Sequence, residues 1–284
     1  MTGKAATLQQ HVEREREIAY QMQQSFLPHI FPSVEGVEVA AAMRPAREVG
    51  GDFYDVIPLS GGLLGIIIAD VSGKGVPAAL YMALGRTLLR SHSLSTPRPR
   101  YLTDALESAH VRQLMRTVPN SALAALDSVR TTNEYLTEHH FDQAMFLTLF
   151  YAVYDPQSRL LVYVNAGHNP PFLYNTLSGE QAWLDSTDLI IGVMPDRRYE
   201  PQWRQLSRGD VLTLYTDGVS EAFNSDREMF GEERLVTAVR NQRATSAQEL
   251  LEAITTAVDS FVGDAPQSDD LTLLVMHCLR SNED

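Results

Sequence analysis

Cysteine is nearly absent: Cys278 stands alone among 284 residues. That excludes an internal disulfide framework and fits a reducing compartment. Long apolar runs are missing as well. No stretch approaches the roughly 18 residues that span a bilayer, and the longest candidate, Leu63–Ala69, has the length of a strand. The opening MTGKAATLQQ holds no apolar signal core. Basic side chains are in deficit, with 23 Lys and Arg against 36 Asp and Glu and a formal net charge of -13. A general affinity for nucleic acid or anionic membrane is excluded on that balance, because it needs clustered Lys and Arg. Local basic patches are not excluded. What is present, 44% hydrophobic and 21% charged residues, is ordinary for a globular chain of one large domain or two small ones. The expectation is an acidic, cytoplasmic protein with neither membrane nor nucleic acid as a partner.

Texture changes along the chain. Residues 5 to about 27 predict a helix, with Leu8, Val12, Ala19, Met22 and Phe26 at spacings of three, four or seven and Pro28 as its stop. So narrow a stripe suits either the chain's own domain or a partner helix in a dimerising coiled coil. Residues 1–28 are therefore set apart as an amphipathic helix or linker, and 29–284 as one domain. Strands are predicted at 37–43, 63–71, 145–155, 159–168, 211–218 and 271–279. The turns Pro156-Gln157-Ser158 and Leu177-Ser178-Gly179 predict two hairpins. The run after Gly75 predicts a helix with Leu80, Leu84, Thr87 and Leu88 on one face. Residues 94–140 read as a helical excursion from the sheet, and its Arg98, Arg100, Arg112 and Arg116 either dock an acidic partner or are solvated. Residues 246–262 predict an amphipathic helix with Ser246 as N-cap and Glu249 completing a capping box. Many strands with helical blocks and no βαβ alternation predict a layered α+β sandwich.

Four acidic turns stand at predicted strand ends: GGDFYD (50–55), ADVSGKG (69–75), YTDGVSEAF (215–223) and SDDLT (268–272). Any one Asp-Gly is most simply a turn. Four that converge at one sheet edge would form a site of carboxylates without Cys or His, which selects Mg²⁺ or Mn²⁺ over zinc. Like charges within a few ångströms repel, and a divalent ion relieves that cost.

Seven motifs, GGDFYD, ADVSGKGVPAALYMA, MFLTLFYAVYD, NAGHNPP, YTDGVSEAFN, FGEERL and SDDLTLLV, occur in this order. In that order they resemble the SpoIIE/RsbU branch of the metal-dependent (PPM, type 2C-like) protein serine/threonine phosphatases, over about residues 20–278. Each motif alone is weak; the ordered set is specific. The resemblance implies a four-layer αββα sandwich of two antiparallel sheets flanked by helices, with two Mn²⁺ or Mg²⁺ ions at one end. Carried over position by position, Asp70 would bridge both ions and the Val71 carbonyl would complete one shell. Asp217 and Asp269 would hold the other ion, and Asp52 would bind or orient a metal. Asp269 and Asp270 compete for one ligand position, which the first matches better. Lys74, Asp55, Asp270 and Gly218 are candidates for substrate contact or for support behind the ligands, with Asp55 expected to be structural.

The implied chemistry is in-line attack of a metal-activated water on phosphorus, without a phosphoenzyme. Many relatives carry a DGH turn whose His can protonate the leaving oxygen; here the turn is Asp70-Val71-Ser72, so the general acid is unassigned. His168 reads as scaffold, His139 and His140 as a solvated helix end. Arg44, Arg47 and Lys74 either touch substrate phosphate or are ion-paired or solvated. The implied partner is a phosphorylated anti-sigma-factor antagonist (STAS) domain in a partner-switching pathway that releases a sigma factor. An upstream sensor or activator and a homodimer complete the expectation. The competing reading is a silent signalling scaffold of the same fold; a nucleotide phosphodiesterase lacks its usual His-rich ligand set.

Overall fold

The computed structural model describes residues 2–95, 109–241 and 246–279. Helix α1 (Thr2–Phe26) leads to strands β1 (Val37–Arg44), β2 (Phe53–Pro58) and β3 (Leu64–Val71). Helices α2 (Val76–Leu94), α3 (Ala109–Thr117) and α4 (Asn120–His139) follow. Then come β4 (Leu147–Asp155), β5 (Leu160–Ala166), β6 (Phe172–Asn175), β7 (Gln181–Trp183), β8 (Gln202–Gln205) and β9 (Asp210–Tyr215). The one-turn helix α5 (Asp217–Ser220), helices α6 (Gly231–Arg240) and α7 (Ala247–Val262), and strand β10 (Leu271–Cys278) complete the order.

Two antiparallel five-stranded sheets face each other, ordered β1-β10-β9-β6-β7 and β2-β3-β4-β5-β8. Helices α2 and α4 cover the outer face of the second sheet, and α6 and α7 that of the first. This is the four-layer αββα sandwich. It explains the composition of the central strands: β3, β4 and β10 are covered on both faces, so they are apolar at nearly every position instead of alternating. One core fills the space between the sheets and runs under α2 and α4; a second lies beneath α6 and α7.

Local chemistry places the elements. The Ser246 hydroxyl accepts from the Glu249 amide at 3.1 Å, and the Glu249 carboxylate accepts from the Ser246 amide at 3.2 Å, the capping box expected at the start of α7. In the β6–β7 hairpin the Asn175 side chain accepts from the amides of Leu177 and Ser178, and Gly179 takes a positive φ of 76°.

Two expectations are corrected. The buried face of α2 is Ala78, Tyr81, Met82, Gly85, Leu89 and Ser93, whereas Leu80 is 68% exposed. Small residues such as Ala78 and Gly85 let the helix lie close to the sheet, and Leu84 and Leu88 are partly buried against the core beside them. GGDFYD is not all turn, because Phe53, Tyr54 and Asp55 already belong to β2. The described part of 94–140 is largely helical, as read: α4 buries Leu123, Leu126, Val129 and Leu136 against the second sheet and α2, and so forms a layer of the sandwich. Arg98 and Arg100 lie outside the described residues; Arg112 and Arg116 are exposed on α3. Among the described residues no helix is long and apolar enough to cross a membrane.

Candidate active site

Strands β3 and β9 end, and β2 and β10 begin, at the same edge of the sandwich. The register shows it: Phe53 pairs with Ala69, Leu273 with Tyr215, and Leu271 with Arg44. Asp52, Asp70, Asp217, Asp269 and Asp270 are therefore carried to one place by four chain segments far apart in sequence.

Asp52 ties the two sheets together. It is 2% exposed, and its Oδ2 accepts from the hydroxyls of Thr216 at 2.7 Å and Thr272 at 2.6 Å. The Thr272 amide in turn donates to the Thr216 hydroxyl at 3.1 Å. Burial holds the Asp52 carboxyl well above the usual carboxylate range, and the charges of Asp70 and Asp270 push it further. Asp70 is raised to about 7, by burial first and then by Asp217, against a hydrogen bond from Asp52. Asp217 is raised by burial and by Asp269, while Lys74 and the Gly218 amide pull it down. These mutual repulsions are the electrostatic mark of carboxylates that share one small volume.

Asp269 and Asp270, adjacent in sequence, have different duties. Both oxygens of Asp270 are occupied by backbone: Oδ1 accepts from the Ala46 amide at 2.8 Å and Oδ2 from the Gly51 amide at 2.7 Å. Asp269 is half-buried, and its Oδ2 meets the Lys74 ammonium at 2.6 Å. Lys74 also donates to the Ser268 carbonyl at 2.8 Å. Asp270 thus builds the loop that carries Asp52, and Asp269 faces a cation.

The glycines here answer to close approach. A Cβ on Gly218 would lie 1.9 Å from the Asp270 carbonyl oxygen, and one on Gly50 would lie 2.3 Å from the Asp270 carboxylate. A Cβ on Gly51 would lie 2.7 Å from the Val71 carbonyl oxygen, so that carbonyl borders the same loop. Gly75, by contrast, has a positive φ of 77° at the entrance to α2, where Pro77 occupies the first turn.

Asp55 lies apart from this group. It is fully buried and paired with Arg86 at 2.9 Å and Arg90 at 2.7 Å, both on α2. Arg44 is paired with Asp259 at 2.7 Å on α7. Arg47 is exposed, with its guanidinium 4.0 Å from where a Cβ on Gly75 would stand. His168 is buried, its Nδ1 2.8 Å from the Thr148 hydroxyl and its amide donating to Asn165. Burial lowers its pKa to about 3, so the ring is neutral. Thr216 and Thr272 went unnoticed in the sequence; hydroxyls directly beside the acids, in T-D-G and D-D-L-T, were the available signal.

The donor set suits a hard cation: oxygen ligands only, packed closely enough that neighbouring carboxylates raise the pKa values of Asp52, Asp70 and Asp217. Among the described residues no three His, Cys, Asp or Glu side chains already stand as a ligand cage. The Lys74 ammonium on Asp269 supplies one positive charge against at least four carboxyls.

A family profile described as Stage II sporulation protein E (SpoIIE) matches residues 60–279. The chain belongs to the SpoIIE/RsbU branch of the PPM phosphatases. It is 36% identical over 266 residues to Protein IcfG of Synechocystis, covering 93% of this chain and 41% of IcfG. It is 30% identical over 271 residues to phosphoserine phosphatase RsbU of Bacillus subtilis, covering 95% of this chain and 71% of RsbU. The chain thus spans less than half the length of one of these relatives. Its fold matches the solved SiaA-PP2C domain of Pseudomonas aeruginosa with a TM-score of 0.74 at 21% identity, covering 96% of this chain and 99% of that one. The SpoIIE/RsbU match includes Asp70, Asp217, Asp269 and Asp270 and begins after Asp52.

Proposed function

We propose that this chain is a metal-dependent protein phosphatase that hydrolyses phosphoserine or phosphothreonine on a regulatory protein. The observation that carries this is the convergence of Asp52, Asp70, Asp217 and Asp269 at one edge of the sandwich, where burial and neighbouring carboxylates raise the pKa values of Asp52, Asp70 and Asp217. Family membership supports it, as does the activity in RsbU's name. Two Mn²⁺ or Mg²⁺ ions in such a site would supply neutralisation of phosphoryl charge and a water acidic enough to attack phosphorus in line.

The chain's own residues divide the work. Asp70, Asp217 and Asp269 present carboxylate oxygens, and the Val71 carbonyl lies at the same loop. Asp52 is oriented by Thr216 and Thr272, which fix one of its oxygens, and its carboxyl also meets that of Asp70. Lys74 lies close enough to screen Asp269 and to meet a phosphate oxygen, and exposed Arg47 is the second cation on that side. Buried, neutral His168 is not an effective acid at neutral pH, so it does not protonate the leaving serine oxygen, and the general acid is unassigned. A groove between α7 and the 222–223 loop, lined by Phe223, Val258, Val262 and Pro266, opens beside Gly218 and Ser268. Arg44, Asp259, Gln267 and Ser268 line it too, so its mixed polar and apolar wall suits the polypeptide around a phosphorylated side chain. The substrate class that fits the branch is a phosphorylated STAS-type antagonist.

The test is hydrolysis of a phosphoserine peptide. Activity should require Mn²⁺ or Mg²⁺, vanish with chelator, and fall at least ~100-fold in folded Asp70→Asn and Asp217→Asn variants. A folded, metal-supplied protein inactive on phosphopeptides and on phosphorylated STAS domains would instead be a scaffold.

A further inference from the structure

Residues 45–51, which deliver Asp52 to the site, have no regular secondary structure. The side-chain hydrogen bonds that hold their backbone come from distant segments. Asp270 takes the amides of Ala46 and Gly51. The amide and carbonyl of Gly50 are both taken by one side chain, Gln23, near the end of α1. Gln23 Nε2 donates to the Gly50 carbonyl at 2.6 Å, and the Gly50 amide donates to Gln23 Oε1 at 2.9 Å. Gln23 is 3% exposed, so neither bond is readily replaced by water. Gly50 in turn lies against the Asp270 carboxylate so closely that it has no room for a Cβ. A chain of direct contacts therefore runs from α1 through Gln23 and Gly50 to Asp270, and along the backbone from Gly50 to Asp52.

Only a side-chain amide of this length meets both groups. Leucine leaves a buried amide and carbonyl unpaired. Glutamate accepts from the amide but repels the carbonyl and adds a charge near five carboxyls. The contact is also separable from ordinary packing, because Leu27, four residues on, is buried in the main core without touching Gly50 through any polar atom. A second link between α1 and the same segment, Arg16 to Glu48 at 3.0 Å, is exposed and screened by solvent.

We propose that Gln23 is a positioning residue for the acidic site: its amide fixes Gly50, and through it Asp52 and Asp270, so that moving α1 moves the metal-binding loop. This rests on the carboxylates being a metal site, as proposed above. The full-length chain tests it in three measurements on Gln23→Leu, Gln23→Asn and Leu27→Ala. Calorimetric titration with Mn²⁺ alone should show about tenfold weaker binding in both Gln23 variants, the scale of one or two buried hydrogen bonds. Amide exchange across 46–52 in the metal-free protein should rise by a similar factor. Phosphatase activity should need more Mn²⁺ yet return toward the wild-type kcat at saturation. Leu27→Ala should lower the melting temperature at least as much while Mn²⁺ affinity stays within about twofold. Gln23→Asn keeps the polar group and serves if Gln23→Leu fails to fold. Wild-type exchange rates across 46–52 in the Gln23 variants would overturn the tether. Raised exchange with unchanged Mn²⁺ affinity would overturn its role at the site. A wild-type protein that binds no Mn²⁺ would overturn the metal site itself.

Discussion

Asp70 shows what crowding carboxylates does to a single residue. Its pKa near 7 lies above that of an unfolded aspartate, so between about pH 4 and 7 the folded protein holds a proton that the unfolded chain has released. Stability contributed by this group is therefore lost as pH rises through that window, the reverse of a salt-bridged aspartate. Metal-free protein should melt higher at pH 5 than at pH 7.5. Asp70→Asn should raise the stability at pH 7.5 by on the order of 1–3 kcal/mol, with a higher melting temperature, and flatten the profile. Thermal unfolding in chelator checks both; a metal-free wild type that is more stable at pH 7.5 contradicts them. At this scale the sequence shows which side chains to suspect, since Asp-Gly pairs at the ends of apolar runs stand out. It does not separate Asp269 from Asp270. That distinction depends on which carboxylate reaches the amides of Ala46 and Gly51, more than 200 residues away, and no local pattern records it. Gln23 is illegible for the same reason, and Thr216 and Thr272 show only as hydroxyls near the acids: a hydroxyl or amide acquires its duty only when the sheets meet.

Among the elements, α2 carries the clearest mechanical role. Buried Asp55 on β2 receives Arg86 and Arg90 from successive turns of α2, fixing the helix that begins just after Lys74. Removing the carboxylate leaves two guanidiniums, one of them largely buried, without their partner. Asp55→Ala should cost about 3–5 kcal/mol, and Arg90→Ala less because Arg90 is partly solvated. Denaturant unfolding measures both; an Asp55→Ala change under 1 kcal/mol would show the pair to be no clamp. Strands covered on both faces were legible as continuous apolar runs, and α7 by its cap. Strand β8, with the sequence QWRQ, was not: it is a short, largely exposed edge with no apolar alternation to reveal it. The face of α2 is hard to read because small residues, Ala78, Gly85 and Ser93, share it with Tyr81, Met82 and Leu89.

The molecule as a whole joins two sheets at one charged edge and leaves a helix facing outward. On α1, Ile18, Met22 and Phe26 are exposed, Met22 by 59%, while Gln23 and Leu27 face the domain. That outward stripe is the basis for the dimer we propose, with α1 pairing against its copy. Sedimentation should show a dimer in the wild type and a folded monomer in an Ile18→Glu, Met22→Glu variant; a monomeric wild type at tens of micromolar would rule this pairing out. The central claim is that four distant aspartates hold hard cations between the sheets. Anomalous diffraction from a crystal soaked in Mn²⁺ tests it most directly. Peaks ringed by Asp70, Asp217 and Asp269, with Asp52 at their edge, are the predicted result. Full occupancy elsewhere, or no peak among these carboxylates in an active crystal, would contradict it.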